Sequence, residues 1–359
     1  MDAGEKVSII VLLHNHLDLT RLCLESLAEA VAHLDHEVIL LDNASAEDTT
    51  PLRSCGKLFK HWQFFRNQEN LSFSRSNNQC AARATGRYLL FLNNDVFVAA
   101  DAVERLIACL QKDHSAGIVG GMLLFPEGKS VQHAGMSQML WGFPSNYGVG
   151  AHPTDQRIGQ PAERFALTGA MMCLPRDVYW QVGGFDERYL WGYEDVDLCL
   201  KIRSAGRRVL YVPQATGVHF ESATLKVVQN RDQPGNYQIY RDTWNSVLLP
   251  PEQDYVRNLK NQEIRSVAVF GAGLAARGLS AILGENGIRI VAFTSSETQD
   301  SGELFLGCPL LPLAALREMK FDRLIVATQF FFAVESMIRD FDPVRQPIFP
   351  ILSHWVPHP

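Results

Sequence analysis

What most constrains this chain is a series of near-continuous apolar runs of strand length close to its start, each ending in a small polar cluster. Val7 to Leu13 reads as one strand, Glu37 to Leu41 as a second and Arg87 to Leu92 as another. Between the first two, Leu17, Leu19, Leu22, Leu24 and Leu27 populate an amphipathic helix, which gives βαβ patterning. Strands that are apolar throughout, rather than alternating, belong to a parallel sheet buried on both faces. The clusters His14-Asn15, Asp42-Asn43-Ala44-Ser45 and Asn93-Asn94-Asp95 then fall at the carboxyl ends of strands, the edge at which open α/β sheets bind ligands. Taken singly, such residues also serve as turn and cap residues, and Asp42 to Ser45 can cap the helix that follows.

From about Ala116 to Thr216 the pattern becomes mixed, with short strands expected at Gly117 to Leu124, Phe165 to Leu174 and Arg208 to Val212, and a long loop from Trp141 to Pro161. A polar segment from Val227 to Glu263 precedes a fresh strand at Ser266 to Phe270, which places a domain boundary near Ile264. The expected organisation is an α/β domain over 1–225, a helical and polar tail and linker over 226–263, and a smaller α/β domain over 264–359. A chain of 359 residues is comfortable for two domains.

Composition narrows the function classes. Hydrophobic residues make up 47% and charged residues 20%, which rules out wholesale disorder. Thirty-three basic against 39 acidic residues give a net charge of -6, and no Lys/Arg block marks a nucleic-acid or lipid footprint. No stretch approaches the ~18 consecutive apolar residues of a membrane span, and Met1 to Val11 does not read as a signal peptide. A cytoplasmic protein, at most peripherally associated with a membrane, is expected. The seven cysteines are odd in number, scattered and without a C-x-x-C pair, so they are read as reduced and mostly buried rather than as disulfides or a zinc site.

The strand-end clusters, together with Asn70, Ser72-Phe73 and Asn78, follow one another in an order and spacing that resembles family 2 glycosyltransferases of the GT-A fold. The resemblance covers roughly residues 6 to 259. It implies that His14, Asn15, Asp42, Asn43, Asn70, Ser72, Asn78 and Asn94 hold the donor nucleotide. Asn93-Asn94-Asp95 stands where the family's Asp-x-Asp metal motif lies; Asn93 replaces the first Asp, as in the rhamnosyltransferase-like and O-antigen assembly branch, and only Asp95 keeps a carboxylate. One carboxylate suffices in principle, because Mg²⁺ or Mn²⁺ at a diphosphate keeps several waters and takes one or two protein groups.

A second constellation runs from Gly183 to Arg203. By pattern alone, Glu194, Asp195 and Asp197 at the start of an amphipathic helix complement its dipole. The resemblance implies more: Glu194-Asp195 matches the family's Glu-Asp motif, in which the Asp is the catalytic base for an attacking hydroxyl. Trp191 and Glu194 would shape the acceptor site, with Tyr193 between them, and Gly169 and Ala170 would lie beneath the donor sugar. His219, followed by Ser222 and Thr224, fits the family's late metal-ligand histidine, although a lone His is also a common structural residue. The pairs His14/His16 and His33/His36 lack an acidic or thiol cluster and are read as structural.

A third constellation, Gly271-Ala272-Gly273 running to Ala276, has the form of a dinucleotide-binding turn between a strand and a helix. It resembles small Rossmann-like domains attached to polysaccharide-biosynthesis enzymes. The acidic residue expected at the end of the second strand is absent, with Glu297 slightly late, so an anion at Gly271 and Gly273 is favoured over NAD(P). The implied activity is inverting transfer of a sugar from a nucleoside diphosphate sugar to a hydroxyl of a surface glycan or lipid-linked saccharide. Three rivals stand against it. A sugar nucleotidyltransferase would need a Gly-rich phosphate loop after the first strand; a non-catalytic sugar-nucleotide or glycan-binding module would not need Glu194-Asp195; an NAD(P)-linked sugar-modifying enzyme would want a Tyr-x-x-x-Lys pair.

Overall fold

A computed structural model describes residues 5–138, 143–220, 233–248, 251–296, 303–328 and 330–341. The chain divides into two compact units, one comprising 1–136 with 152–245 and the other 137–151 with 246–359.

The first unit is built on strands β1 (Val7–Leu13), β2 (His36–Asp42), β3 (Trp62–Arg66), β4 (Tyr88–Asn93), β5 (Val96–Val98), β6 (Ala116–Leu124) and β7 (Val131–His133). Strands β10 (Ala162–Glu163), β11 (Met171–Pro175) and β12 (Arg208–His219) complete the series, while short strands β8 (Met136–Gln138) and β9 (Pro144–Asn146) pair with each other and fall, but for Met136, in the segment 137–151 of the second unit. The main sheet runs β10-β12-β6-β11-β4-β1-β2-β3, with β5 on β12 and β7 on β6. It is mixed: β4, β1, β2 and β3 are parallel, whereas β11 is antiparallel to both β4 and β6. Val7, Ile9, Ile10, Val11 and the whole of β2 are buried, as expected for strands covered on both faces. Register then makes the site: Leu13 lies opposite Asp42 and Leu12 opposite Asn93, so the chain leaves three adjacent strands at one edge.

Several expectations need correction. Helix α1 (Leu17–Val31) buries Thr20, Cys23, Leu24 and Leu27, while Leu22 is exposed, because the 3.6-residue turn carries it to the solvent face. Asp42 to Ser45 caps no helix. The next helical segment is a 3₁₀ turn over Thr50–Leu58, and the Asp42 carboxylate instead accepts from Ser45 N and Thr49 Oγ1. The strand expected over Phe165 to Leu174 forms only from Met171, since Ala166 leaves the ladder to bridge Met136. Conversely β12 continues past Val212 to His219, because its second half finds an antiparallel partner in β5, with His219 opposite Val96.

The remaining helices of this unit are α2 (Phe73–Ala81), α3 (Ala102–Lys112), α4 (Arg176–Gln181), α5 (Glu194–Ser204) and α6 (Gln233–Trp244). Tyr240 and Trp244 of α6 are buried, and Trp244 Nε1 donates to Asp197 Oδ1 at 2.9 Å. Helix α7 (Pro251–Asn261) instead gives Val256 and Leu259 to the core of the second unit. The expected linker over 226–263 is thus divided between the units, and the second unit starts before Ile264 because α7 has an apolar face to bury. Ser222 and Thr224, the segment Val227 to Asp232, Trp141 at the start of the long loop, and Glu297 lie outside the described residues.

In the second unit, β13 (Ser266–Phe270) is the centre of a parallel sheet ordered β14-β13-β17, with β14 at Arg289–Thr294 and β17 at Arg323–Val326. Strands β15 (Leu304–Phe305) and β16 (Cys308–Pro309) form a small hairpin, and α8 (Leu274–Glu285) and α9 (Phe331–Phe341) are its further helices. Gly271 has φ +119°, and a Cβ there would stand 2.4 Å from Ala327 O, so the turn into α8 requires glycine. Tyr147 packs edge-on against Phe332 at 5.3 Å, which ties 137–151 to this unit.

Candidate active site

A cavity of about 330 Å³ opens at the sheet edge where β1, β2 and β4 end. Its lining joins His14, Asn43, Asn94 and Asp95 from those strand ends to Gly169 and Ala170, to Trp191, Glu194 and Asp195 of the second constellation, and to His219. Ten of the residues singled out in the sequence thus meet in one place. A groove of about 700 Å³ between α3 and β12 is larger, but its carboxylates Asp113 and Glu163 are both engaged by Arg208.

The strand ends are tied to one another. His14 Nδ1 donates to Asn43 O at 2.9 Å, and Asn15, in the left-handed region at φ 64°, accepts from Ala46 N through its side chain. Asn43 donates to Asn70 Oδ1 and Leu71 O and accepts from Asn67 Nδ2 and Leu71 N. Asp42 is fully buried and accepts from Arg66 at 2.9 Å as well. Asn15, Asp42 and Asn70 therefore shape the walls without lining the cavity. Ser72 accepts from Arg75 N as the cap of α2. Asn78 stands apart from the cavity lining: it donates to Phe185 O and Glu187 and accepts from the Tyr179 hydroxyl, fastening the turn that opens the second constellation.

The Glu194-Asp195 pair is aimed by backbone conformation. Gly192 (φ 89°) and Tyr193 (φ 72°) both take left-handed geometry, a sharp turn that starts α5. Asp195 Oδ2 accepts from Gly169 N at 2.9 Å and Oδ1 from Val196 N at 2.8 Å. The residue keeps some exposure toward the cavity, yet its carboxylate is enclosed enough that desolvation raises its pKa above the usual Asp value, against the lowering effect of those two N–H groups. A Cβ at Gly169 would lie 3.3 Å from the Phe73 ring and 3.6 Å from Asp195 Cβ, so the small residue there leaves the carboxylate its room.

At the other side, His219 Nε2 stands 3.3 Å from Asp95 Oδ1, both residues nearly buried. Among the described residues lining the cavity there are three carboxylates, Asp95, Glu194 and Asp195, and no Lys or Arg. A diphosphate placed there meets negative charge, so the donor set fits a hard divalent cation held by Asp95 and His219 and completed by phosphate oxygens and water. No group of three or more His, Cys, Asp or Glu able to hold a metal occurs among the described residues.

Two residues went unread in the sequence. Asn236 of α6 is buried; it donates to Trp191 O and Gly192 O and accepts from Leu190 N, so it clasps the loop bearing Trp191. Gln132 of β7 is buried against His219. The one available signal was a polar residue within a buried strand, Val131-Gln132-His133. All seven cysteines are free, and Cys23, Cys80, Cys173 and Cys199 are buried. His33 faces Glu104, and His36 is buried between Leu34 O and Lys60 N.

Residues 8–178 match the sequence profile of Glycosyl transferase family 2. This region is a family 2 glycosyltransferase domain. Residues 157–222 match a second profile, N-terminal domain of galactosyltransferase. The chain is 32% identical over 249 residues to O-antigen biosynthesis protein RfbC of Myxococcus xanthus, covering 66% of this chain and 19% of that protein. It is 27% identical over 208 residues to the N-acetylglucosaminyl-diphospho-decaprenol L-rhamnosyltransferase of Mycobacterium tuberculosis, covering 52% and 66%. The chain therefore spans about a fifth of the Myxococcus relative's length. A crystal structure of GalNAc-T7 with UDP, GalNAc and Mn²⁺ superposes with a TM-score of 0.54 at 16% identity, covering 81% of this chain and 56% of that one, which shows a shared GT-A fold. No described helix is long and apolar enough to cross a membrane.

Proposed function

We propose that this family 2 glycosyltransferase transfers a sugar, of hexosyl or rhamnosyl type, from a nucleoside diphosphate donor to a hydroxyl of a surface glycan or lipid-linked saccharide, with inversion. The observation that carries the reading is that Asp195, held open by Gly169, shares one cavity with Asp95 and His219. Asp195 takes the proton of the acceptor hydroxyl, whose oxygen attacks the anomeric carbon. The bond from that carbon to the diphosphate breaks, and the diphosphate leaves with the electron pair. A single base on the face opposite the leaving group is enough for inversion. When bound, a divalent cation supplies positive charge to the departing diphosphate, and Asp95 and His219 are the groups that would hold it. His14, Asn43 and Asn94 face the nucleotide, while Trp191 and Glu194 face the acceptor. The similarity to O-antigen and rhamnosyl relatives supports the acceptor class, and seven unpaired cysteines support a reducing, cytoplasmic setting.

The second unit is read as a small Rossmann-like fold whose Gly271-Ala272-Gly273 turn and α8 N-terminus receive an anion rather than NAD(P). A thermal-shift panel of nucleoside diphosphate sugars, with and without Mn²⁺, tests the catalytic reading. A donor at 100 times its Kd stabilises by about 2.7 kcal/mol. A full panel with no Mn²⁺-dependent shift would remove its basis.

A further inference from the structure

Gln132 uses both ends of its side chain on one residue. Its Nε2 donates to His219 O at 3.4 Å, and its Oε1 lies 2.7 Å from His219 Nδ1, with both side chains buried. A backbone carbonyl only accepts, so the amide nitrogen must face it, and the amide oxygen is left facing the ring. That oxygen only accepts as well, so in the neutral ring Nδ1 carries the proton and Nε2 presents a lone pair. The lone pair is aimed at Asp95 Oδ1, 3.3 Å away. The backbone sets that separation: Phe220 N donates to Asp95 O at 3.0 Å, and β12 pairs with β5 at His219 and Val96. Two electron-rich atoms are thereby held face to face in a nearly buried place, an arrangement a cation between them relieves.

We propose that Gln132 is the positioning residue that fixes the His219 tautomer, so that His219 Nε2 and the Asp95 carboxylate converge on one divalent cation. The proposal rests on the reading of Asp95 and His219 as the donor-side metal pair. Partners that orient a ligating His through its other ring nitrogen commonly contribute 10- to 100-fold in metal affinity.

The test uses the full chain labelled with ¹⁵N-histidine. Long-range ¹H–¹⁵N correlations at pH 8, without metal, read the tautomer, and electron paramagnetic resonance of Mn²⁺ alone reads the dissociation constant. Expected are the Nδ1–H tautomer in wild type and in Gln132→Glu, which keeps the acceptor. Gln132→Met should lose that tautomer and bind Mn²⁺ roughly 10- to 100-fold more weakly. An Nε2–H tautomer in wild type overturns the proposal, and this reading needs no substitution, so it stands even if Gln132→Met does not fold. A folded Gln132→Met that keeps the wild-type tautomer or Mn²⁺ affinity overturns it too. Wild-type protein with the Nδ1–H tautomer but no Mn²⁺ binding sinks the metal reading and the proposal together, whereas the tautomer failures sink the proposal alone.

Discussion

Replacing Asp195 by asparagine separates the proposed base from its surroundings. In the native site each carboxylate oxygen accepts one backbone N–H, from Gly169 at 2.9 Å and Val196 at 2.8 Å. Asparagine keeps the shape and one of these acceptors, but it turns an NH₂ group toward the other N–H and cannot take a proton from the acceptor. A positioned general base is worth about 10²- to 10⁴-fold, or roughly 2.7 to 5.4 kcal/mol at 1.36 kcal/mol per factor of ten. Donor binding should change little, since Asp95 and His219 are untouched. Desolvation raises the Asp195 pKa, and the sign of that shift gives two further readouts. The acid limb of kcat/KM should lie above the ordinary Asp range, because activity is lost as pH falls through a raised pKa, and it should vanish in the variant. A carboxyl whose folded pKa exceeds its unfolded value costs stability once pH rises above the unfolded pKa. Asp195→Asn should therefore melt at the same temperature or higher at pH 7. Transfer assays across pH, donor titration calorimetry and a thermal melt cover all three. An Asn variant with kcat within threefold of wild type and an unchanged acid limb refutes the assignment.

Asp95→Ala should weaken Mn²⁺-dependent nucleotide binding, with EDTA adding no further loss; unchanged donor affinity by calorimetry would count against the metal role. Asn236→Ala removes three hydrogen bonds to the loop at Leu190, Trp191 and Gly192 and should raise acceptor KM while leaving donor Kd within about threefold, at a stability cost of about 1 to 3 kcal/mol. Equal changes in donor and acceptor parameters would contradict that division of roles. A chain ending after Leu248 keeps every residue lining the cavity and should retain donor binding, while Tyr147 loses Phe332 and the segment 137–151 becomes a site of proteolysis. A shortened chain that folds by circular dichroism yet binds no donor would contradict the two-unit reading.

The parallel half of the sheet was legible because β1, β2 and β4 each carry an unbroken apolar run, Ile9 to Leu13, Val38 to Leu41 and Tyr88 to Leu92, followed by a polar cluster. Order alone then put His14, Asn43, Asn94 and Asp95 at one edge. The antiparallel half was harder to read. β12 looked five residues long because Gln214 and Thr216 break the apolar run; what extends it is pairing with β5, more than a hundred positions earlier, as Gly217 opposite Val98 shows. Helix α6 looked like linker because its polar residues are so many; buried Asn236, Tyr240 and Trp244 carry it into the first unit. Gln132 and His219 are 87 residues apart, and Asn236 and Trp191 are 45 apart; no local periodicity connects residues at such distances.

The same long-range contacts explain how an enclosed carboxylate stays ionisable. Asp195 and Asp197 both lie in the first turn of α5, and burial raises the pKa of each. Their partners differ in kind. Asp197 is fully buried, with Lys201 at 2.8 Å and the Trp244 indole at 2.9 Å, so its charge is compensated by a cation and it holds α6 against α5. Asp195 receives backbone N–H groups and the positive end of the α5 dipole, but no side-chain cation is among the causes shifting its pKa. Hydrogen bonds and a dipole stabilise the carboxylate without neutralising it, which leaves an acceptor for a hydroxyl proton; a lysine in the same place would hold the carboxylate too strongly to act as a base. Of the neighbouring acids on α5, Asp197 is thus tied into structure, whereas Asp195 is left with the character the proposed base requires, and α6, through Trp244 and Asn236, holds both the helix and the loop before it.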